Sequence, residues 1–403
     1  MWRLGRCAVP FAVVAALAGC MTATAKAAEA ATPTAAVMVA RMATPVQVGK
    51  LSGSPGWRIT QVLAGAAIGG LWAGGTRDAW LAGDECADPV TCGSGNSSNG
   101  TLIVRRWDGK AWRVVTPPSA YVDSPLDQGV AAVAATSASN AWVLAARGSE
   151  SVDYTDALHW TGRRWAAPVR LDAAIQAAVA PSATQLWAFG QPAEYGPAGY
   201  FAHFNGRTWT HGSFPLTGTA AAARSASDVW VGGDTAKGLG IEHWDGRRWR
   251  VTALPDLGLG SGSALQYFAD IFGFVDLGLD DAWADIGVLN ATGANPPGTI
   301  ILHWNGKAWS RVKFPYVGDA MTPVAYDGHG GIWLATADGT GSNVTVWFDH
   351  YSRGRWTRAK VPSRSGDRPE MDNLSWIPDT RSLWATGGVD FASNGETILK
   401  YGW

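Results

Sequence analysis

The stretch Glu242–Arg250, EHWDGRRWR, places two tryptophans five residues apart around an Asp-Gly turn. Asp-Gly and Asn-Gly between alternating residues are the strongest short-range signal for a β-hairpin. The same spacing of two aromatic residues recurs along the chain, at Trp107/Trp112, Trp160/Trp165, Phe204/Trp209, Trp244/Trp249, Trp304/Trp309 and Tyr351/Trp356. Each copy is therefore predicted to be a β-hairpin.

A second motif, a tryptophan in a short apolar strand, precedes each hairpin and occurs once more near the end of the chain. Its members are Trp80, Trp142, Trp187, Trp230, Trp283, Trp333 and Trp384, separated by 62, 45, 43, 53, 50 and 51 residues. Repeats of this period with strand patterns are typical of β-propellers. We predict an all-β fold, a seven-bladed β-propeller of four-stranded antiparallel blades over residues 51–403.

The last repeat contains three strands, and the missing fourth strand is found at the other end of the propeller. PGWRITQ places Trp57 after a glycine, as the fourth strand does in the other repeats. We therefore expect residues 56–62 to pair with residues 397–402. This pairing would close the ring and remove two exposed sheet edges.

The composition favours a large apolar core and gives no indication of nucleic-acid binding. The chain is 47% hydrophobic and 16% charged, with a net charge of −1. Nucleic-acid-binding domains usually carry a strong positive charge. Fifty glycines and 23 tryptophans suit an all-β fold with many turns.

The N-terminal segment predicts export from the cytoplasm. Arg3 and Arg6 precede an apolar run of about a dozen residues, which is too short to span a bilayer. Two processing sites remain open. The sequence LAGC at 17–20 resembles a lipobox and would make Cys20 a lipidation site, whereas Ala25-Lys26-Ala27 fits ordinary cleavage. Residues 1–27 are thus an export signal, and residues 28–50, rich in Ala and Thr, a flexible tether.

Two cysteines remain in the predicted propeller, Cys86 and Cys92, in the stretch DECADPVTC. An exported protein matures in an oxidising compartment. We therefore predict a disulfide between them. No histidine lies in this segment to complete a metal site.

The stretch VWVGGD followed by IEHWDGRRWRVTALP resembles a kelch unit, in which a di-glycine ends the second strand. The di-glycine is clear only at Gly232-Gly233 and Gly387-Gly388, and the third hairpin is shorter than in kelch repeats. The chain is also similar to the Trp-rich, seven-unit propellers of secreted actinobacterial proteins, whose functions are mostly unassigned. The resemblance implies a propeller fold and export, and it implies no active-site residues.

The repeated residues are interpreted as structural. Tryptophan falls at one of three repeat positions in 18 of 23 cases, which favours packing between blades over sugar binding. Five histidines share one repeat position, where Arg106 and Lys400 substitute, so that position is expected to face solvent or a sheet edge. An Asp or Asn two residues before the second-strand tryptophan is expected to hold the preceding turn. No metal or cofactor site is predicted.

Function is expected at the loops that connect the second to the third strand, because these vary in length. They contain 12 acidic residues and two basic ones, whereas six third-to-fourth turns contain nine basic and two acidic residues. An acidic variable face favours a cationic partner or Ca²⁺, and a solvated loop surface without a specific ligand is the alternative. The candidate ligand-binding residues near the channel are Gln266, Tyr267, Asp270, Asp372 and Trp376.

Two functions remain open at this point. The first is a non-catalytic binding or scaffold propeller at the bacterial cell envelope, secreted or lipid-anchored, whose partner is an envelope protein or glycan. In that case membrane contact is expected only through Cys20. The second is a polysaccharide hydrolase or lyase with a carboxylate pair, such as Asp270 and Asp372, at the channel mouth. No Ser-His-Asp grouping or phosphate-binding glycine loop is recognisable in the sequence.

Overall fold

A computed structural model describes the propeller, and the predicted export signal and tether lie outside the described residues. The described ranges are 56–86, 100–122, 126, 128–149, 152–193, 198–259, 267–290, 298–320, 322–339, 344–362, 369–388 and 395–402. Residues Gln47–Trp403 form one compact unit.

Seven antiparallel sheets form the seven blades, and the prediction of a seven-bladed propeller is confirmed. Blade I contains β2 (Ala66–Gly75), β3 (Asp78–Glu85), β4 (Thr101–Trp107) and β5 (Trp112–Val114). Blade II contains β6 (Val130–Ser137), β7 (Asn140–Ser149), β8 (Val152–Trp160) and β9 (Val169–Leu171). Blade III contains β10 (Ala173–Ser182), β11 (Gln185–Pro192), β12 (Gly199–Phe204) and β13 (Trp209–Phe214). A 3-10 helix, Ser119–Tyr121, lies between β5 and β6.

Blades IV to VII repeat this order, from the inner first strand to the outer fourth. Blade IV contains β14 (Thr217–Ser225), β15 (Asp228–Thr235), β16 (Gly238–Trp244) and β17 (Trp249–Thr252), and blade V contains β18 (Tyr267–Gly278), β19 (Asp281–Asn290), β20 (Gly298–Trp304) and β21 (Trp309–Val312). Blade VI contains β22 (Asp319–Ala320), β23 (Ala325–Tyr326), β24 (Ile332–Asp338), β25 (Thr345–Ser352) and β26 (Arg355–Lys360). Blade VII contains β27 (Asn373–Trp376), β28 (Leu383–Gly387), β29 (Gly395–Tyr401) and, from the other end of the chain, β1 (Trp57–Ala64). The inner strand of blade VI is split into β22 and β23.

The ring closes as the sequence predicts. β1 is the outer strand of blade VII and pairs antiparallel with β29, from Trp57 opposite Tyr401 to Ala64 opposite Gly395. Gly402 N–H donates to the carbonyl of Gly56 at 3.0 Å, and the Arg58 guanidinium donates to the carbonyl of Gly402. The two ends of the propeller are thus joined by a ladder of hydrogen bonds.

Small residues on the inner strands are required by close packing around the axis. A Cβ atom added to Gly69 in β2 would lie 1.8 Å from the carbonyl oxygen of Val130 in β6. Atoms do not approach so closely, so any larger residue would push two blades apart. This explains why the sequence of the first strands is rich in Ala and Gly.

The repeated aromatic residues pack each blade against the preceding one. Trp230 of blade IV is fully buried, and the rings of Trp304 and Trp309 of blade V lie at centroid distances of 5.4 and 5.3 Å from it. The same contact occurs at all seven junctions, including the one where Trp57 and Tyr401 meet Trp333. We call these contacts the blade seam. The prediction that the repeated tryptophans pack between blades is confirmed.

The repeated histidines stack on the second-strand tryptophans, which corrects the expectation that they face solvent. The His243 ring lies 4.1 Å from the Trp230 ring, and its Nε2 is 2.6 Å from Asp228 Oδ1. Asp228, expected to hold a turn, therefore bonds to the third strand of its own blade. In blade VII the ammonium of Lys400 takes the position of the histidine, 5.2 Å from the Trp384 ring.

Candidate functional site

A repeated irregularity of the inner strands forms the wall of the axial channel. β2, β6, β10, β14 and β18 each carry a register shift of the β-bulge type near the strand start. In blade VII both Asp372 and Asn373 pair with Thr386, which produces the same two-to-one pairing. A bulge re-aims a side chain. Seven residues, one from each blade, line the channel near this level: Gly69, Ala131, Gln176, Thr219, Phe272, Pro323 and Asp372. We call them the bulge ring.

The channel is a cavity of about 520 Å³. This volume lies within the range of small-molecule sites. Its wall is mostly Ala, Gly, Val and Leu, with Gln176, Thr219 and Asn373 as neutral polar residues. Asp372 is the charged residue of the lining among the described residues; its side chain reaches the solvent inside the channel, although the surrounding blades enclose it.

Asp372 forms a carboxyl pair with Glu396 of β29. The two side chains share a hydrogen bond, and Glu396 also interacts with the Thr386 side chain and the Ile68 backbone. Glu396 is 5% exposed, and its Oε1 is buried without a hydrogen-bond partner in the described part of the chain. Asn373 supports the pair by donating to Thr386 Oγ1 at 3.1 Å and to the Ile68 carbonyl at 3.0 Å.

Burial and mutual repulsion raise the pKa of both carboxyl groups. Burial, followed by the negative charge of Glu370, raises the pKa of Asp372 to about 6. Burial and the Asp372 charge raise the pKa of Glu396 well above its usual value. Among the described residues, no cation is one of the groups that set either pKa. Two carboxyl groups in contact cannot both ionise readily, so the pair is an uncompensated acid that a positive charge in the channel would stabilise.

Asp270 and Asp372, grouped at the channel mouth from the sequence, lie on different blades with blade VI between them. Asp270 in β18 has a pKa raised by burial. It interacts with Asp234, whose pKa is raised to about 6 by burial and then by Asp270. Each of the two predicted carboxylates is thus paired with another acid, and the proposed Asp270–Asp372 pair does not form.

The other predicted residues fall outside the channel or outside the description. Trp376 lies at the end of β27, where its Nε1 donates to the Thr380 carbonyl at 2.8 Å and its ring contacts Tyr326, so it has a structural position. The Tyr267 side chain and all of Gln266 are outside the described residues, as is Cys20. Cys86 is buried after β3, but Cys92 lies outside the description, so the disulfide stays a prediction.

Sequence reasoning missed Glu396. It stands in NGET at the start of the last strand, where nothing in the repeat marks it, and its partner Asp372 is 24 positions away. One signal was available. Four residues before the repeated histidine position, the other third strands carry Leu102, Thr155, Gly199, Leu239, Thr299 and Val346, whereas blade VII carries Glu396. A carboxyl at a strand position that packs inward demands a partner.

The described residues contain no group of three His, Cys, Asp or Glu side chains arranged to hold a metal ion. In the same ranges no helix is long and apolar enough to cross a bilayer.

Comparisons with known proteins identify the fold and no family. No family model matches the chain, and no curated protein sequence matches it, so the kelch-like resemblance stays a prediction. The β-propeller domain of the Trilobed protease from Pyrococcus furiosus, described as having an open velcro topology, is 7% identical and superposes with a TM-score of 0.51 over 84% of this chain and 94% of that chain. The N-terminal domain of Nup159 is 10% identical with a TM-score of 0.46, over 87% of this chain and 97% of that one. The six-bladed Aleuria aurantia lectin is 15% identical with a TM-score of 0.42, over 76% and 99%. The chain is a β-propeller by structure.

Proposed function

We propose that the chain is a non-catalytic binding propeller of the cell envelope, whose ligand places a positively charged group in the axial channel against Asp372. The observation that carries this proposal is the uncompensated Asp372–Glu396 pair at the wall of a cavity of about 520 Å³. The ligand enters from the end of the ring that carries the second-to-third connections, because Asp372 immediately precedes β27 and Glu396 is the second residue of β29.

A buried acid without a counter-ion lowers stability, because burial disfavours charge and an unpaired polar atom loses its hydrogen bonds to water. Glu396 Oε1 is such an atom. Because Glu396 is shut away from the channel, a protonated amine there would act on Asp372, to which it would supply a donor and a positive charge. Charge-assisted hydrogen bonds of this kind are about twice as strong as neutral ones. Ligand binding would therefore raise the stability of the folded propeller.

The alternative, a polysaccharide hydrolase, is less well supported by the same pair. Glycosidases hold their two carboxyl groups at least about 5 Å apart, with the scissile bond between them. Asp372 and Glu396 share a hydrogen bond, and Glu396 is shut away from the channel by burial. This geometry suits recognition of a cation better than acid–base chemistry on a sugar.

The proposal can be tested with a matched pair of glycan probes that differ in charge. Chitosan tetramer carries free amines, and its fully N-acetylated form carries none. Calorimetric titration should show binding of the amine form and loss of that binding in Asp372→Asn. The matched control is Asp234→Asn, the acid of blade IV that interacts with Asp270 and is not among the residues lining the channel.

Equal binding of the two probes would contradict a cationic ligand group. Equal loss of binding in Asp372→Asn and Asp234→Asn would show that the probe does not bind in the channel at Asp372. If neither probe binds, a pull-down from an envelope fraction with wild type and Asp372→Asn decides between a protein ligand, captured only by wild type, and no role for this pair.

The envelope location is part of the proposal and is supported by the N-terminal sequence, with Arg3 and Arg6 before an apolar run and LAGC at 17–20. If Cys20 is lipidated, the protein should fractionate with membranes, and Cys20→Ser should release it or block its processing. A mature N-terminus at Ala28 would show ordinary secretion instead.

A further inference from the structure

We infer that one end of the ring is a docking surface for an anionic lipid membrane. This end, the turn face, is formed by the first-to-second and third-to-fourth connections of every blade, all of which are described except Trp403 and the residues before Gly56. Its cations are all exposed: Arg77, Lys110, Arg163, Arg164, Arg207, Arg247, Arg248, Lys307, Arg353, Arg355 and Arg381.

The negative charges of the turn face are fewer, and most of them are already paired. Asp108 and Asp245 accept hydrogen bonds from the backbone of their own hairpins and form ion pairs with Arg113 and Arg250. Asp327 is buried and bonded to His350. Asp281, whose side chain is 42% exposed, is bonded to His303, and two further exposed acids remain, Asp280 and Asp379. The turn face therefore carries a large local surplus of positive charge, although the net charge of the whole chain is −1.

The cations of the turn face lie on equivalent turns. The hairpins use the same turn, with a left-handed glycine at Gly109, Gly162, Gly206, Gly246 and Gly306, at φ of 93, 89, 93, 87 and 85°. Because the blades repeat around one axis, we expect these turns to end at similar heights along it. A flat surface can thus meet the cations of six blades at once, whereas a single polymer chain crossing the ring would meet only some of them. This geometry favours a membrane over a soluble polyanion.

The chain also enters the propeller at this face. Gly56 lies beside Gly402, at the position where the other blades have their third-to-fourth hairpins. Basic groups near an anionic leaflet contribute about 1 kcal/mol each to binding, and a basic surface is the kind of second signal that a weak anchor requires. The inference adds a contact to the one expected through Cys20, and its cellular meaning rests on the proposed envelope location.

The test compares full-length chains that differ only on the ring, so the N-terminal segment contributes equally to all of them. The probe is vesicles of phosphatidylcholine, with and without phosphatidylglycerol, and the readout is the ratio of the two partition coefficients. The triple variant Arg163→Gln/Arg207→Gln/Arg247→Gln removes one turn-face cation from each of three consecutive blades. It should lower the ratio roughly a hundredfold at low salt.

The control removes three cations from outside the turn face, Arg170→Gln/Lys237→Gln/Lys360→Gln, and should leave the ratio nearly unchanged. High salt should abolish the difference between the variants. An equal loss in both triple variants, or an equal partition into the two kinds of vesicle, would overturn the inference. Binding to dextran sulfate without binding to the anionic vesicles would assign the turn face to a soluble polyanion instead. Channel binding measured with Asp372→Asn is a separate experiment, so either result can fail alone.

Discussion

The blade seam and the bulge ring are both built from one position per repeat, yet they differ in how much the repeat fixes them. At the seam every blade presents an aromatic residue to the tryptophan of the preceding blade. In the bulge ring the seven positions carry seven different residues, from Gly69 to Phe272 and Asp372. A residue required for packing recurs in every blade, whereas a residue required at one point of a channel occurs once. The contrast assigns stability to the blade seam and leaves the bulge ring as the place where we propose recognition.

Because each blade packs on its neighbours through the blade seam, the propeller depends on closure of the ring. Removing the closing strand β1 should therefore have the largest effect on stability. Deleting residues 51–62 removes most of β1, including Trp57, whose ring stacks on Phe348 at 3.8 Å. Two apolar edges would then be exposed, so we expect loss of the cooperative unfolding transition and aggregation. Deleting residues 21–44 should leave the thermal midpoint unchanged, as measured by calorimetry. Equal midpoints for the two truncations would show that closure contributes nothing.

A single seam tryptophan should be the next largest effect. Trp230→Ala should lower the free energy of unfolding by about 3–5 kcal/mol, the usual cost of emptying a large buried aromatic site. Trp249 is only half-buried, so Trp249→Ala should cost less. Val251→Ala is the control, because Val251 is 77% exposed. Urea denaturation measures all three, and a similar small loss at Trp230 and Val251 would place the stability elsewhere.

The seam was predictable from the sequence, and the channel largely was not. Repetition samples the same physical requirement seven times, so Trp80 through Trp384 identify the strands and the closure of the ring together. The channel residues Asp372 and Glu396 occur once each, and no spacing rule relates them. Their contact depends on a bulge before β27 and on the register of β28 with β29, which sequence patterns do not resolve. The histidine position was misinterpreted because stacking on a cross-strand ring leaves no periodic signature beyond the residue itself.

Buried carboxyl groups should make the stability of the propeller depend on pH, whereas the uncharged aromatic contacts of the blade seam should not. Burial raises the pKa of Asp285 to about 8, while its Oδ1 accepts a hydrogen bond from Val324 N–H at 3.0 Å. The folded chain thus keeps a proton that the unfolded chain loses above about pH 4. Stability from this group is present at low pH and is lost as the pH rises towards 8. Asp285→Asn keeps the acceptor and should reduce the decline between pH 5 and 7 by about 1 kcal/mol per pH unit.

The measurement for Asp285 is a series of denaturant titrations across this pH range. Asp108→Asn is a suitable control, because hydrogen bonds from Arg113 and its own hairpin lower the pKa of Asp108, and its titration lies outside the range. An unchanged slope in Asp285→Asn would mean that this carboxyl ionises in the folded protein near its usual pKa.

The smallest expected effect concerns the histidine that stacks on the seam tryptophan of its own blade. Two blades carry this histidine with different hydrogen-bond partners. His243 stacks on Trp230 and bonds to the buried Asp228, whereas His203 stacks on Trp187 at 3.8 Å with its Nε2 buried and unpaired among the described residues. Phenylalanine keeps the stacking in either blade and removes the ring nitrogens. His243→Phe should cost about 1–2 kcal/mol, because it leaves Asp228 without this donor. His203→Phe should be neutral or slightly stabilising, since it removes an unsatisfied polar atom. Equal losses in the two variants, measured by urea denaturation, would show that the ring stack alone sets the contribution of this position.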